Sequence, residues 1–125
     1  MIHGIGTDIV AVERLQAFWT RYGDKARERL LAPAEYADFA RAHDKGRFLA
    51  KRFAAKEAFS KALGTGLRAP ATLTAIAVVH DALGKPMIEC CGPLAEMLKN
   101  QGLLPHLSLS DEREHVVAFV ILERP

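Results

Sequence analysis

The spacing of apolar residues changes from one stretch of the chain to the next, and each change marks an element. Residues 2–12 carry Ile5, Ile9, Val10 and Val12 in a run that favours extended structure, while Gly4 and Gly6 interrupt it and point to a bulge or a close backbone approach. From Glu13 to Tyr22 the period becomes helical, with Leu15, Phe18, Trp19 and Tyr22 at intervals of three and four, until Gly23-Asp24 ends it. A short helical turn over 25–31 places Leu30 and Leu31 inward. Pro33 suits a first helical position, a helix continues over 34–42, and 43–46 reads as a turn. Residues 47–63 hold strong helix formers and no Gly or Pro, and Gly64 is a natural stop.

Beyond a loop ending near Pro70, residues 72–80 become strand-like through Leu73, Ile76, Val78 and Val79. A hairpin connection over 81–86 leads to a returning strand at 87–91. Gly92-Pro93 opens a helix over 94–101, and 106–110 with 115–122 reads as a final hairpin around 111–114. No repeat or linker interrupts the pattern. It predicts an α+β fold, one compact domain over 1–125, with strands packed on a long central helix.

Composition narrows the function classes. A chain of 125 residues buries roughly two-thirds of its unfolded surface, enough for a core without metal or disulfide staples. With half its residues hydrophobic and 26% charged, it is not generally disordered. The net charge of +2 does not by itself demand nucleic acid or a membrane surface. Cys90 and Cys91 are adjacent, which argues against a disulfide framework or a cysteine zinc site. The opening residues carry no secretory pattern, and no apolar run approaches a bilayer span. The expectation is a soluble, cytoplasmic protein that binds neither membrane nor nucleic acid.

The central segment holds the candidate chemistry. On a wheel at about 100° per residue, Phe48, Ala55, Phe59 and Ala62 form one face, and Ala50, Phe53, Ala54, Glu57 and Lys61 the opposite one. A helix apolar on both sides is mostly buried, so Glu57 needs a cation or hydrogen bonds beside it. Two readings are open: an i,i+4 salt bridge to Lys61, or a metal-binding carboxylate next to a phosphate-binding lysine. Between Arg41 and Lys61, seven basic residues face only Asp44 and Glu57. Such a run suits an anionic ligand or an acidic protein, with nucleic acid as the alternative. Asp8, in Gly4-Ile-Gly-Thr-Asp8, is a second apolar-set carboxylate; the segment is not a dinucleotide fingerprint, because Ile9 stands where the third glycine belongs. Among five scattered histidines, His106 begins a strand with Ser108 and Ser110 on its own side, a polar face able to line a pocket.

These segments together resemble the small bacterial holo-acyl-carrier-protein synthases, a family of 4'-phosphopantetheinyl transferases. Gly4-Ile-Gly-Thr-Asp8-Ile-Val is similar to the family's first motif, and the fifteen residues from Arg52 to Gly66 to its second. Gly84-Lys85-Pro86 and His106-Leu-Ser-Leu-Ser follow in the family's order, so the resemblance spans essentially the whole chain. It implies the 4'-phosphopantetheinyl transferase fold and transfer of the phosphopantetheine arm of coenzyme A to a serine of an apo-acyl-carrier protein, in fatty acid biosynthesis. It further implies Mg²⁺ on Asp8 and Glu57, and catalytic roles for Glu57, Lys61 and His106. Coenzyme contacts would come from Arg52, Lys61, Gly64 and His106, and carrier docking from Arg14 and Arg21. The family forms homotrimers with a site at each interface, where His106 is reached across a subunit boundary. Asp111 stands where some members have another histidine, which argues against a catalytic role at that position. The base that takes the serine proton stays open between Glu57 through water, a hydroxide on the metal, and His106.

Overall fold

The long apolar run sets the architecture. In the computed structural model, which describes residues 1–125, it forms a 19-residue helix, α4 (Lys45–Leu63). The helix starts two residues earlier than its composition suggests because Asp44 caps it, accepting the Arg47 amide hydrogen at 2.9 Å. It ends at Gly64, whose φ of 87° is left-handed.

Around α4 lie β1 (Ile2–Ala11), α1 (Val12–Tyr22), α2 (Asp24–Leu30), α3 (Tyr36–Arg41), β2 (Ile76–His80), β3 (Pro86–Cys90), α5 (Gly92–Gln101), β4 (Leu104–Asp111) and β5 (His115–Glu123). The strands form an antiparallel sheet in the order β1-β5-β4 and a separate β2–β3 hairpin. The expected α+β fold, with antiparallel strands on a central helix, is the one observed. In two stretches the kind of element differs from expectation. Helix 34–42 is divided, because Pro33–Glu35 winds as a 3₁₀ turn before α3. Residues Leu73–Ala75 are likewise a 3₁₀ turn, so the strand begins only at Ile76.

The two glycines of β1 explain how close the sheet lies to α4. A Cβ on Gly6 would sit 1.9 Å from the Ala58 carbonyl oxygen, and one on Gly4 2.0 Å from that of Ala62. The match is geometric, since two strand residues advance about 6.6 Å and four helical residues about 6 Å. The register also shifts between Ile2 and Gly4, so the sequence's two suggestions, bulge and close approach, both hold. Alternation then turns Gly4, Gly6, Asp8 and Val10 toward α4 and Ile5, Thr7 and Ile9 away from it. On that outer face Ile5 (60% exposed), Ile9 (64%), Val117 (38%) and Phe119 (41%) stay open. Cross-strand register adds His106, Ser108 and Ser110 to the same face.

The basic run is not one charged surface, which corrects the expectation built on it. Arg52 and Lys56 point into the core, where both meet the fully buried Glu35. Arg47 grips the β4–β5 turn through Asp111 and the Glu112 and Arg113 carbonyls. Arg41 pairs with Asp38, Lys51 lies 3.6 Å from Asp111, and Lys45 donates to the Phe39 and Ala40 carbonyls. Lys61 reaches Asp8. Each cation of the run therefore has a partner within the chain, and the nucleic-acid alternative loses the feature that motivated it.

Candidate active site

Because Gly4 and Gly6 let α4 settle on β1, the next inward residue of the strand, Asp8, arrives beside the last turns of the helix. Lys61 donates to Asp8 Oδ1 at 3.1 Å and to the Thr7 carbonyl at 3.0 Å. Thr7 is itself tied down, its hydroxyl donating to the Ala118 carbonyl at 3.1 Å. The i,i+4 pair between Glu57 and Lys61 is not the contact made; the lysine turns to the strand instead.

Glu57 completes the cluster. Burial pushes its carboxyl pKa up, the nearby Asp8 charge pushes it further, and Lys61 and Arg14 only partly offset this. Two carboxylates thus converge, and only Asp8 has an ion-pair partner in Lys61. Arg14, exposed on α1, stacks its guanidinium 5.4 Å above the Phe53 ring, and its charge reaches Glu57. Arg21 lies seven residues on, hence on the same side of α1. A small cavity of about 100 Å³, lined by Arg14, Leu15, Phe18, Leu30 and Phe53, opens beside Arg14. Gly64, three residues past Lys61, ends α4 with no heavy atom within 4 Å of where a Cβ would sit.

Two expected site residues stand apart from this cluster. Arg52 lies five residues before Glu57, about 140° around the helix. Its guanidinium donates to Glu35 Oε2 at 2.9 Å and to the Val78 carbonyl at 2.6 Å. Its outer edge forms part of a cleft of about 520 Å³ with Arg41, Lys51, His80, Pro86 and Asp111. His106 lies on the outer face of the sheet while Asp8 lies on the inner one. It shares that face with Ser108, Ser110 and the exposed Ile5, Ile9, Val117 and Phe119, and its ring Nε2 is 2.9 Å from Glu123 Oε1. Within one chain, then, Asp8, Glu57, Lys61 and Arg14 come together, and Arg52 and His106 do not join them.

The residues that pattern reading missed are Glu35 and Glu123, the carboxylates that fix Arg52 and His106. For Glu123 the signal was alternation along 115–123, which puts it on the same face as Phe119 and Ile121. The cysteines stay outside the site: burial pushes the Cys90 thiol up to about 12, and Cys91 caps α5.

Comparison with known proteins agrees with the motifs. Residues 4–120 match the model of the 4'-phosphopantetheinyl transferase superfamily. A holo-[acyl-carrier-protein] synthase of Dechloromonas aromatica is 70% identical over 123 residues, covering 98% of either chain. The crystal structure of the Neisseria meningitidis holo-[acyl-carrier-protein] synthase superposes with a TM-score of 0.93 at 45% identity, over 98% of this chain and 99% of that one. The Bacillus anthracis synthase, solved in complex with CoA (3',5'-ADP), has a TM-score of 0.83 at 35% identity, over 100% of this chain and 99% of that one.

Proposed function

The chain belongs to the 4'-phosphopantetheinyl transferase superfamily, and from that membership we propose how its residues divide the work of a holo-[acyl-carrier-protein] synthase. The enzyme moves the phosphopantetheine arm of coenzyme A to a serine of apo-acyl-carrier protein and releases adenosine 3',5'-bisphosphate. The serine oxygen bonds to the phosphorus that carries the pantetheine arm. The bond from that phosphorus to the bridging oxygen breaks, and the hydroxyl proton passes to a base.

Asp8 and Glu57 suit a hard divalent cation, Mg²⁺ in our reading, because the two carboxylates lie close enough for Asp8 to raise the Glu57 pKa and Lys61 pairs with Asp8 rather than with Glu57. When bound there, such an ion neutralises pyrophosphate charge and the charge that develops during transfer. Lys61, held between Asp8 and Thr7, presents a fixed ammonium to the phosphate oxygens. Gly64 leaves open space for the coenzyme at the end of α4. Glu57 acting through water and His106 are the side chains that can accept the serine proton.

The observation that carries the assembly is that Asp8 and His106 point from opposite faces of one sheet. A site using both needs a second copy, and the exposed apolar face of Ile5, Ile9, Val117 and Phe119 is a surface for that copy to cover. We therefore read the active unit as a homotrimer of the 1–125 domain, with His106 and the Arg52 cleft of one subunit completing the Asp8–Glu57–Lys61 cluster of the next. No helix is long and apolar enough to cross a membrane; we place the enzyme in the cytoplasm, in keeping with its two free cysteines.

Incubation with coenzyme A, Mg²⁺ and an apo-carrier should add the mass of one phosphopantetheine arm to the carrier. Asp8→Asn and His106→Ala should each be nearly inactive. After subunit exchange in an equal mixture, about one site in four regains both residues by chance, and activity should return in that proportion. No recovery despite demonstrated exchange would place both residues in one subunit's site and overturn the shared arrangement.

Carrier docking we assign to α1. Arg14 lines the Phe18–Phe53 cavity and Arg21 lies two turns further along the same side of α1, so a basic helix face beside an apolar hole matches an acidic partner with an apolar contact. Arg14→Glu should raise KM for the carrier about tenfold or more, increasingly so at low salt, and leave KM for coenzyme A nearly unchanged. Equal rises in both, measured by steady-state kinetics, would remove α1 from the docking surface.

A further inference from the structure

Glu123 pairs with His106, yet the transfer reaction gives this carboxylate no part. Leu104 faces Glu123 and His106 faces Ile121 across the β4–β5 ladder, so the two side chains are diagonal neighbours on the outer face. The ring Nε2 and Glu123 Oε1 are 2.9 Å apart. An ionised carboxylate only accepts hydrogen bonds, so the contact puts the proton on Nε2. Nδ1 is then the ring nitrogen left for other partners. The imidazole also borders a cleft of about 280 Å³ shared with Lys85 and Pro86, between β3 and β4.

We propose that Glu123 is a positioning residue for His106, fixing its tautomer and ring orientation so that Nδ1 faces the coenzyme or the carrier serine at the shared site. This rests on the placement of His106 in that site. As the neutral ring, His106 offers a lone pair at Nδ1 to a proton. As the cation it offers Nδ1–H to a phosphate oxygen, with Nε2–H still donated to Glu123. Both uses need the Nε2 proton held where Glu123 holds it, which is how carboxylate partners tune an imidazole elsewhere.

The experiment combines nitrogen NMR of the His106 ring with kinetics of Glu123→Ala, Glu123→Gln, His106→Ala and the double variant. In the parent the neutral ring should show one tautomer, protonated at Nε2. Glu123→Ala should give a mixture and lower kcat about tenfold, the scale on which such partners act, with KM for the carrier little changed. Glu123→Gln keeps the size and one accepting oxygen, so it should fall between parent and alanine variant; it also carries the test if the alanine variant fails to fold. The double variant should be no slower than His106→Ala alone, because Glu123 acts only through that ring. An unchanged tautomer in Glu123→Ala, a parental rate in it, or a double variant slowed by the product of both single losses overturns the proposal while leaving His106 in the site. A parental rate in His106→Ala overturns the reading of His106 as well.

Discussion

Glu57→Gln is expected to yield a folded protein whose kcat has dropped at least about a hundredfold, the counterpart of about 3 kcal/mol of lost stabilisation at a metal-assisted phosphoryl transition state. Glutamine is nearly as good a helix former as glutamate, so α4 should persist. The same change should separate metal binding from folding. Glu57 has its pKa raised in the folded state, chiefly by burial and then by Asp8. The folded form therefore binds the proton more tightly than the unfolded form. Stability falls as pH rises from the ordinary glutamate value through the raised one, and the deficit is complete above it. At neutral pH without metal, the glutamine variant should melt no lower than the parent. Mg²⁺ should raise the parent's melting temperature and leave the variant's unchanged. A variant with parental kcat and a parental Mg²⁺ response, checked by circular dichroism for folding, would take Glu57 out of the metal site.

What the sequence made legible was local. The two glycines of β1, the helix over 47–63 with its Gly64 stop, and both hairpins follow from residues close in sequence, where periodicity and turn chemistry act. The isolated carboxylate at Glu57 was visible for the same reason, since its apolar neighbours are on its own helix. What stayed hidden depends on partners far apart. Lys61 meets Asp8 across 53 residues, and no spacing rule predicts that an ammonium prefers a strand carboxylate to the glutamate one turn away. The sheet order, which sets Asp8 and His106 on opposite faces, depends on β5 pairing between β1 and β4. Charge counting failed most clearly at Arg52 and Lys56. Lysine and arginine are almost never fully buried unless paired, and the partner, Glu35, sits in a 3₁₀ turn outside any periodic stretch.

That buried triad supports the last prediction. Glu35 Oε1 accepts from Lys56 and from the Ala32 amide, and Oε2 from Arg52 and the Val78 amide. Lys56 adds bonds to the Leu30 and Leu73 carbonyls, so one carboxylate and one ammonium join α2, both 3₁₀ turns, α4 and β2. Glu35→Ala removes the only acid among three buried ions: Lys56 keeps only carbonyl acceptors, Arg52 keeps the Val78 carbonyl and the half-exposed Asp38 at 3.8 Å, and two amide hydrogens lose their acceptor. Breaking a buried pair in this way costs about 3–5 kcal/mol. With a urea slope of about 1–3 kcal/mol per molar, the unfolding midpoint should fall by about 2 M at matched protein concentration. The loss should also depend on pH. Burial already pulls the Lys56 pKa below the ordinary lysine value, and Glu35 is what opposes that. Without Glu35, the folded form sheds the Lys56 proton more readily than the unfolded form. Between the lowered pKa and the ordinary one the unfolded state then binds more protons, so stability rises with pH. Urea melts from neutral to alkaline pH should therefore show the variant recovering part of its deficit relative to the parent. A variant with the parent's midpoint, or a deficit that grows as pH rises, would mean that water or a shifted side chain satisfies Lys56 and Arg52, and that Glu35 is not what holds them inside.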